Sequence, residues 1–187
     1  MSSEIDKYRG YTLFLDRDGV INRRIPGGYV GSPAELEILP GALEAIQFFS
    51  HYFQRIIIVS NQQGVGKGLI TLHDVERVHD YLVEKVKQSG GRVDGVYFCP
   101  SLASENDQCR KPSSGMALQA QKDFPDIVFH KTVMAGDSIS DLQFAGKLNM
   151  VSVFIETEPN RAVIPQEMYG CKFPSLLAFA RSLGYQH

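Results

Sequence analysis

The segment TLFLDRDGVIN (12–22) runs from a short apolar stretch directly into two carboxylates, Asp16 and Asp18, with Gly19 following to let the backbone turn sharply. Similar groups close other apolar runs. Ser60 and Asn61 end RIIIVSN, Arg110 and Lys111 come after the loop that follows GVYFC, and Asp137 with Asp141 follow TVMAG. Three carboxylates brought to one place repel one another unless a cation joins them. A set made only of oxygens suits Mg²⁺, which keeps several waters and a phosphate oxygen in its shell. A lysine and a hydroxyl beside such a cation are the components of a phosphoryl site.

The elements that must position these groups are readable as two alternating patterns. TLFL (12–15), RIIIVS (55–60), GVYFC (95–99), TVMAG (132–136) and MVSVFI (150–155) are short and nearly continuous in apolar residues, as strands buried on both faces are. Helical spacing fills the intervals. ALEAIQFFSHYF (42–53) aligns Leu43, Ile46 and Phe49 or Phe53. LHDVERVHDYLVEKVKQ (72–88) aligns Leu72, Val75, Val78, Leu82 and Val86, with Thr71 as N-cap and Gly90-Gly91 as a stop. Further helices are expected at 114–123, 139–148 and 175–183. Strand and helix alternating in this way predict an α/β, Rossmann-like parallel sheet of about five to six strands, with right-handed crossovers and helices on both faces. In such sheets ligands bind beyond the carboxyl ends of the strands, where the acids and basic residues fall. The irregular stretches 22–40 and 100–113 are too short for a large cap domain.

The chain has 187 residues, 43% apolar and 21% charged, a size for a single domain spanning 1–187. A net charge of −2 and a pI near 6.2, with scattered Lys and Arg, argue against nucleic acid as main partner. The polar N-terminus MSSEIDKYRG is no secretory segment, and no apolar run is long enough to span a membrane. A cytoplasmic, monomeric protein with no membrane partner is expected. The three cysteines, Cys99, Cys109 and Cys171, are an odd number without secretory context, which argues against a disulfide framework. If Cys99 and Cys109 are joined by anything, a metal is the expected link.

On these residues the chain resembles the haloacid dehalogenase superfamily. LDRDGVIN is similar to motif I (DxDGxx), VSNQ to motif II, the lysine of RKP to motif III and AGDSISD to motif IV, in the same order over essentially the whole chain. DRDGVIN, YVGSPAELEILPG (29–41), SNQQGVGKG (60–68) and CRKPSSGM (109–116) further resemble the heptose 1,7-bisphosphate and histidinol-phosphate phosphatases. The resemblance implies a Mg²⁺-dependent phosphomonoesterase acting on a small phosphorylated sugar by way of an aspartyl-phosphate. Asp16 would be the nucleophile and Asp18 the acid and base. The metal would be held by Asp16, the Asp18 main-chain carbonyl and Asp137, while Ser60 and Lys111 bind the transferring phosphoryl oxygens. Asp141 is expected to position Lys111 or a metal-bound water. Substrate contacts are implied for Asn22, Ser60, Asn61, Gln62, Lys67, Arg110 and Lys111, with Arg110 pointing outward as a second-phosphate contact.

The chain departs from these relatives in the loop CPSLASENDQC (99–109). A structural zinc there uses a CxH…CxC set, of which only the outer cysteines remain; Ser101 and Asp107 stand at the other positions. Zinc prefers four N or S ligands in a closed site, so a structural zinc is not expected. Lys67 stands where relatives have Arg, replacing a bidentate fork with a point charge. The glycines of NQQGVGKGL do not make a nucleotide P-loop, because Asn61 occupies the first glycine position and Gly68 that of the Ser or Thr. His51, His73, His79, His130 and His187 have no pairing logic and are assigned to solvent or core. A receiver-type phosphoacceptor or other non-catalytic module has no use for an acid at Asp18. Histidinol phosphate is the alternative substrate, and a 3′-phosphorylated polynucleotide end a more distant one.

Overall fold

The computed structural model describes residues 7–158 and 164–186; His187 lies outside them. Its core is a sheet of six strands: β1 (Thr12–Leu15), β2 (Arg55–Asn61), β3 (Gly95–Cys99), β4 (Thr132–Gly136), β5 (Val151–Ile155) and β6 (Cys171–Phe173). All neighbours pair in parallel, in the order β3-β2-β1-β4-β5-β6. The predicted apolar runs therefore form strands at their predicted places. β6 went unassigned because CKF is three residues long and its Lys172 is exposed.

The central strands are buried on both faces because their apolar residues alternate between two cores. Leu13 and Leu15 of β1, Ile56 and Ile58 of β2, and Val133 and Ala135 of β4 face one side. Phe14, Ile57, Val59 and Met134 face the other. The helices α1 (Ala42–Tyr52), α2 (Leu72–Gln88) and α5 (Leu176–Ser182) cover the first side with Ile46, Phe49, Val78, Leu82, Val86 and Phe179. The second is covered by α3 (Gly115–Asp123) and α4 (Ile139–Lys147), through Met116, Ala117, Ala120, Phe144 and Ala145. Thr71 caps α2 as its sequence predicts: Thr71 Oγ1 accepts from Asp74 N while the Asp74 carboxylate accepts from Thr71 N.

Two consequences matter for the site. After β1 the chain crosses to β2 and β3 on one side, then returns to place β4 on the other side of β1. That reversal opens a crevice at the carboxyl ends of β1 and β4. No inserted cap domain covers it among the described residues, so only short loops form the rim.

Candidate active site

Asp16 follows β1 directly, and its N–H donates to Ala135 O, which extends the β1–β4 ladder by one residue and fixes the carboxylate over the crevice. The chain then turns around Arg17, whose carbonyl accepts from the N–H groups of Val20, Ile21 and Asn22. Gly19 takes φ +87, and a Cβ there would fall inside the Asp137 carboxylate, so the turn needs glycine for both conformation and space. Asp137 leaves β4, and Asp141 lies in the first turn of α4, where its Oδ2 accepts from Ser138 N and Oγ. Carboxylate oxygens of Asp16, Asp137 and Asp141 all lie within 4.8 Å of one another.

Lys111 joins them. Its Nζ lies 2.9 Å from Asp16 Oδ1 and 2.6 Å from Asp141 Oδ1, and donates to Val59 O at 2.7 Å. Asn61 holds the main chain of Lys111 from both sides, donating to its carbonyl and accepting from its N–H. Lys111 and Asp141 are buried, so the pair sits in a medium where attraction is strong and an unmatched charge is costly. Burial nonetheless pushes the Asp16 carboxyl up to about 7: the attraction of Lys111 is outweighed by burial with the repulsion of Asp141, Asp137 and Asp18. A further cation would offset this repulsion, and Arg24 brings one to the same place. Arg24 Nη2 donates to the Asp18 carbonyl at 2.8 Å and to Asp137 Oδ1 and Oδ2 at 2.8 and 3.0 Å. These oxygens and Asp16 form a hard-cation donor set suited to Mg²⁺.

Asp18 has different surroundings. Its carboxylate accepts from Arg17 Nε and Nη2, Asn22 Nδ2 and Gln62 Nε2. Burial alone raises its pKa, but Arg17 and these hydrogen bonds outweigh it and hold the carboxyl below the ordinary range. Arg17 is fully buried and also donates from Nη1 to His79 Nε2 at 3.1 Å. An arginine can only donate, so the His79 proton sits on Nδ1, which has no partner. Burial, then Arg17, push this imidazole down to about 3.

The structure redistributes the predicted substrate contacts. Asn61, Lys67, Arg110 and Lys111 line a cavity of about 400 Å³ that also exposes Asp16, Asp18, Arg24 and Tyr29. Asn22 and Gln62 do not line it. Both are buried, Asn22 bound to Asp18 and Arg23 O, Gln62 bridging Asp18 and the Ser60 hydroxyl. Their amides are thus engaged in holding Asp18. Ser60 is likewise buried, with its Oγ accepting from Gln62. Lys67 stands 5.5 Å from the Tyr29 ring centroid, and Arg110 Nη1 donates to Ser101 O. Beside Arg110, Cys99 and Cys109 are joined by a disulfide with Cα atoms 5.4 Å apart, where a metal was the expected link. The loop between them folds back tightly enough to meet, and the Asp107 carboxylate there accepts from Ser101 Oγ and Cys109 N.

Sequence reasoning missed Arg17 and Arg24, and it assigned His79 to solvent or core without finding its pairing with Arg17; His79 is buried, as one of those places requires. Arg17 was detectable as a cation enclosed by two acids at a buried strand end. Arg24 lies in a stretch without periodicity, and nothing in its neighbours indicates its direction.

Comparison with solved structures agrees with this geometry. A D,D-heptose 1,7-bisphosphate phosphatase from B. bronchiseptica, complexed with magnesium and phosphate, superimposes with a TM-score of 0.81 at 28% identity, over 92% of this chain and 97% of that one. The fold and site define a phosphatase of the haloacid dehalogenase type. Residues 40–153, more than half of the chain, match the family described as polynucleotide kinase 3 phosphatase. A D-glycero-alpha-D-manno-heptose-1,7-bisphosphate 7-phosphatase from Mycobacterium bovis is 35% identical over 175 residues, 94% of this chain and 92% of that one. A D-glycero-beta-D-manno-heptose-1,7-bisphosphate 7-phosphatase from Helicobacter pylori is 35% identical over 86% of this chain and 90% of its own. The chain belongs to this phosphatase family and, within it, to the heptose-1,7-bisphosphate 7-phosphatases.

Proposed function

We propose that this enzyme removes the C7 phosphate of D-glycero-D-manno-heptose 1,7-bisphosphate, leaving the 1-phosphate. The observation that carries the reading is the placement of Asp16, 2.9 Å from Lys111 Nζ, in a cavity also lined by Lys67, Arg24 and Arg110. A substrate with two phosphates finds both Asp16 and additional cations, Lys67 and Arg110, along one cavity. Relatives named for this substrate in both anomeric forms support the choice.

In the proposed mechanism Asp16 Oδ attacks phosphorus as the ester P–O bond breaks, and the sugar oxygen takes a proton from Asp18. Water then attacks the aspartyl-phosphate, Asp18 receives the proton, and the Asp16–phosphorus bond breaks to release orthophosphate. Lys111 neutralises the transferring oxygens while Asp141 holds its ammonium in place. Asp16, the Asp18 carbonyl and Asp137 would hold Mg²⁺, which supplies charge neutralisation for the phosphoryl group. Arg17, Asn22 and Gln62 favour the Asp18 anion, the form the second, water-activating step needs. An incoming phosphate dianion opposes that charge and favours the protonated form needed for leaving-group departure. Acid and base assistance of this kind contributes about 10²- to 10⁴-fold.

The test is a Mg²⁺ panel with both anomers of heptose 1,7-bisphosphate, histidinol phosphate and a 3′-phosphorylated oligonucleotide. One phosphate released per bisphosphate, from C7, with the highest kcat/KM of the set is expected. A higher kcat/KM for histidinol phosphate or the oligonucleotide overturns the substrate assignment.

A further inference from the structure

Arg24 makes an unusual set of contacts for a guanidinium. Arginine commonly meets a carboxylate with two nitrogens, as a fork. Here Nη2 alone donates to three oxygens, the Asp18 carbonyl and both oxygens of Asp137, all within 3.0 Å. Nε is buried and without a partner. A single nitrogen at the focus of a carbonyl and a carboxylate has the contacts of a point cation. These are two of the three groups assigned above to Mg²⁺.

The surroundings make the position specific and the side chain movable. Gly19 leaves no Cβ to stand between the nitrogen and Asp137. The Asp137 side chain is 3% exposed, whereas that of Arg24 is 34% exposed and already forms part of the cavity wall. Arg24 comes from the irregular loop after Asn22, beside Gly27 and Gly28, which also line the cavity. The guanidinium thus has a path off the oxygens that leaves the sheet undisturbed, and the cavity adjoins it.

We propose that Arg24 is a surrogate cation: it neutralises Asp137 in the metal-free enzyme, is displaced when Mg²⁺ takes the same oxygens, and then meets substrate phosphate from the cavity wall. Metal binding and phosphate binding are coupled through one side chain. The inference rests on the proposed metal ligands and adds a residue that the resemblance does not assign. It also explains the unpaired Nε: that atom remains unused in the metal-free arrangement and becomes available once the side chain turns outward.

Calorimetric titration of Mg²⁺ into metal-free wild type, Arg24→Ala and Asp137→Asn tests this without turnover. Removal of the competitor should tighten Mg²⁺ binding by about 10- to 100-fold, the range expected when charge-assisted bonds need no longer be broken. Inorganic phosphate, titrated into the Mg²⁺-loaded proteins, should bind Arg24→Ala more weakly than wild type. Thermal unfolding gives a second readout: Arg24→Ala should melt below wild type in chelator, and the gap should close in saturating Mg²⁺. Mg²⁺ affinity that is unchanged or weaker in Arg24→Ala overturns the competition, and unchanged phosphate affinity overturns the hand-over. Should Asp137→Asn bind Mg²⁺ as tightly as wild type, the metal-ligand assignment itself fails, and the Arg24 inference with it.

Discussion

Acidification should destabilise this protein through one buried histidine, because His79 is held neutral against Arg17. Its pKa is pushed down to about 3 from an ordinary 6.5, first by burial and then by the neighbouring guanidinium. Between those values the unfolded chain binds a proton that the folded chain does not, so stability rises with pH through the window and falls on acidification below about 6.5. The slope is about 1.4 kcal/mol per pH unit, which at about pH 5 amounts to roughly 2 kcal/mol lost relative to neutral pH. His79→Gln removes the titration while its amide oxygen can still accept from Arg17 Nη1. Urea unfolding of both proteins in chelator, at about pH 7.5 and about pH 5, isolates this term, because carboxylates shared by both titrate alike. The wild type should lose roughly 2 kcal/mol more than His79→Gln over that interval. Equal losses would falsify the neutral-histidine account, and with it the assignment of the His79 proton to Nδ1.

Four further outcomes are expected. Asp16→Asn should abolish phosphate release in a colorimetric assay, since an amide is a poor nucleophile; near-normal turnover would refute the covalent route. Lys111→Met leaves the Asp16 and Asp141 carboxylates buried without their shared cation and should cost about 3–5 kcal/mol in urea unfolding without metal. A cost below 1 kcal/mol, far short of the roughly 3 expected, would show the pair to be solvated. Arg110→Ala should reduce kcat/KM for the bisphosphate by about 10- to 100-fold while sparing a simple monophosphate, because a remote phosphate helps orient the reacting end; equal losses would exclude Arg110 as the second-phosphate contact. Zinc measured in metal-replete protein should stay far below one per chain, since Asp107 is engaged by Ser101 and Cys109 N and the two cysteines bond each other; one tightly held zinc would show that pairing to be replaced by a metal.

The framework was legible in the sequence because strand burial leaves a compositional trace. TLFL, GVYFC and TVMAG become β1, β3 and β4 without a shift of boundary, since each is an apolar run stopped by a residue that breaks it, Asp16, Pro100 and Asp137. The same logic found the residues at the crevice, for any side chain leaving a parallel strand's carboxyl end must stand there. Direction within the crevice left no such trace. Asn22, Ser60 and Gln62 fall at the expected edge, yet their amides and hydroxyl turn inward to Asp18 and to each other. Side-chain orientation in a turn depends on which partner is nearest in space, and that partner comes from another strand. Arg17 and His79 show the same limit, being 62 residues apart in sequence and 3.1 Å apart in the fold.

The two carboxylates of TLFLDRDGVIN carry the functional argument further than their spacing could. Asp16 faces Asp137 and Asp141 with Lys111 as counter-charge, and is pushed up to about 7; Asp18 faces Arg17, Asn22 and Gln62, and is held low. The proposed chemistry needs the reverse, an ionised Asp16 to attack phosphorus and a protonated Asp18 to release the sugar. In the proposed chemistry a bound cation and a bound phosphate act on the two acids in opposite directions. A divalent cation among Asp16, Asp137 and the Asp18 carbonyl favours the Asp16 anion, and a phosphate dianion beside Asp18 favours its acid. Neither change is supplied by the protein's own groups, since Arg24 already occupies its place against Asp137 and Lys111 is already shared with Asp141. The same spacing of two residues therefore gives two acids of different character, because Arg17, Asn22 and Gln62 surround Asp18 while Asp16 meets Lys111 and two further carboxylates.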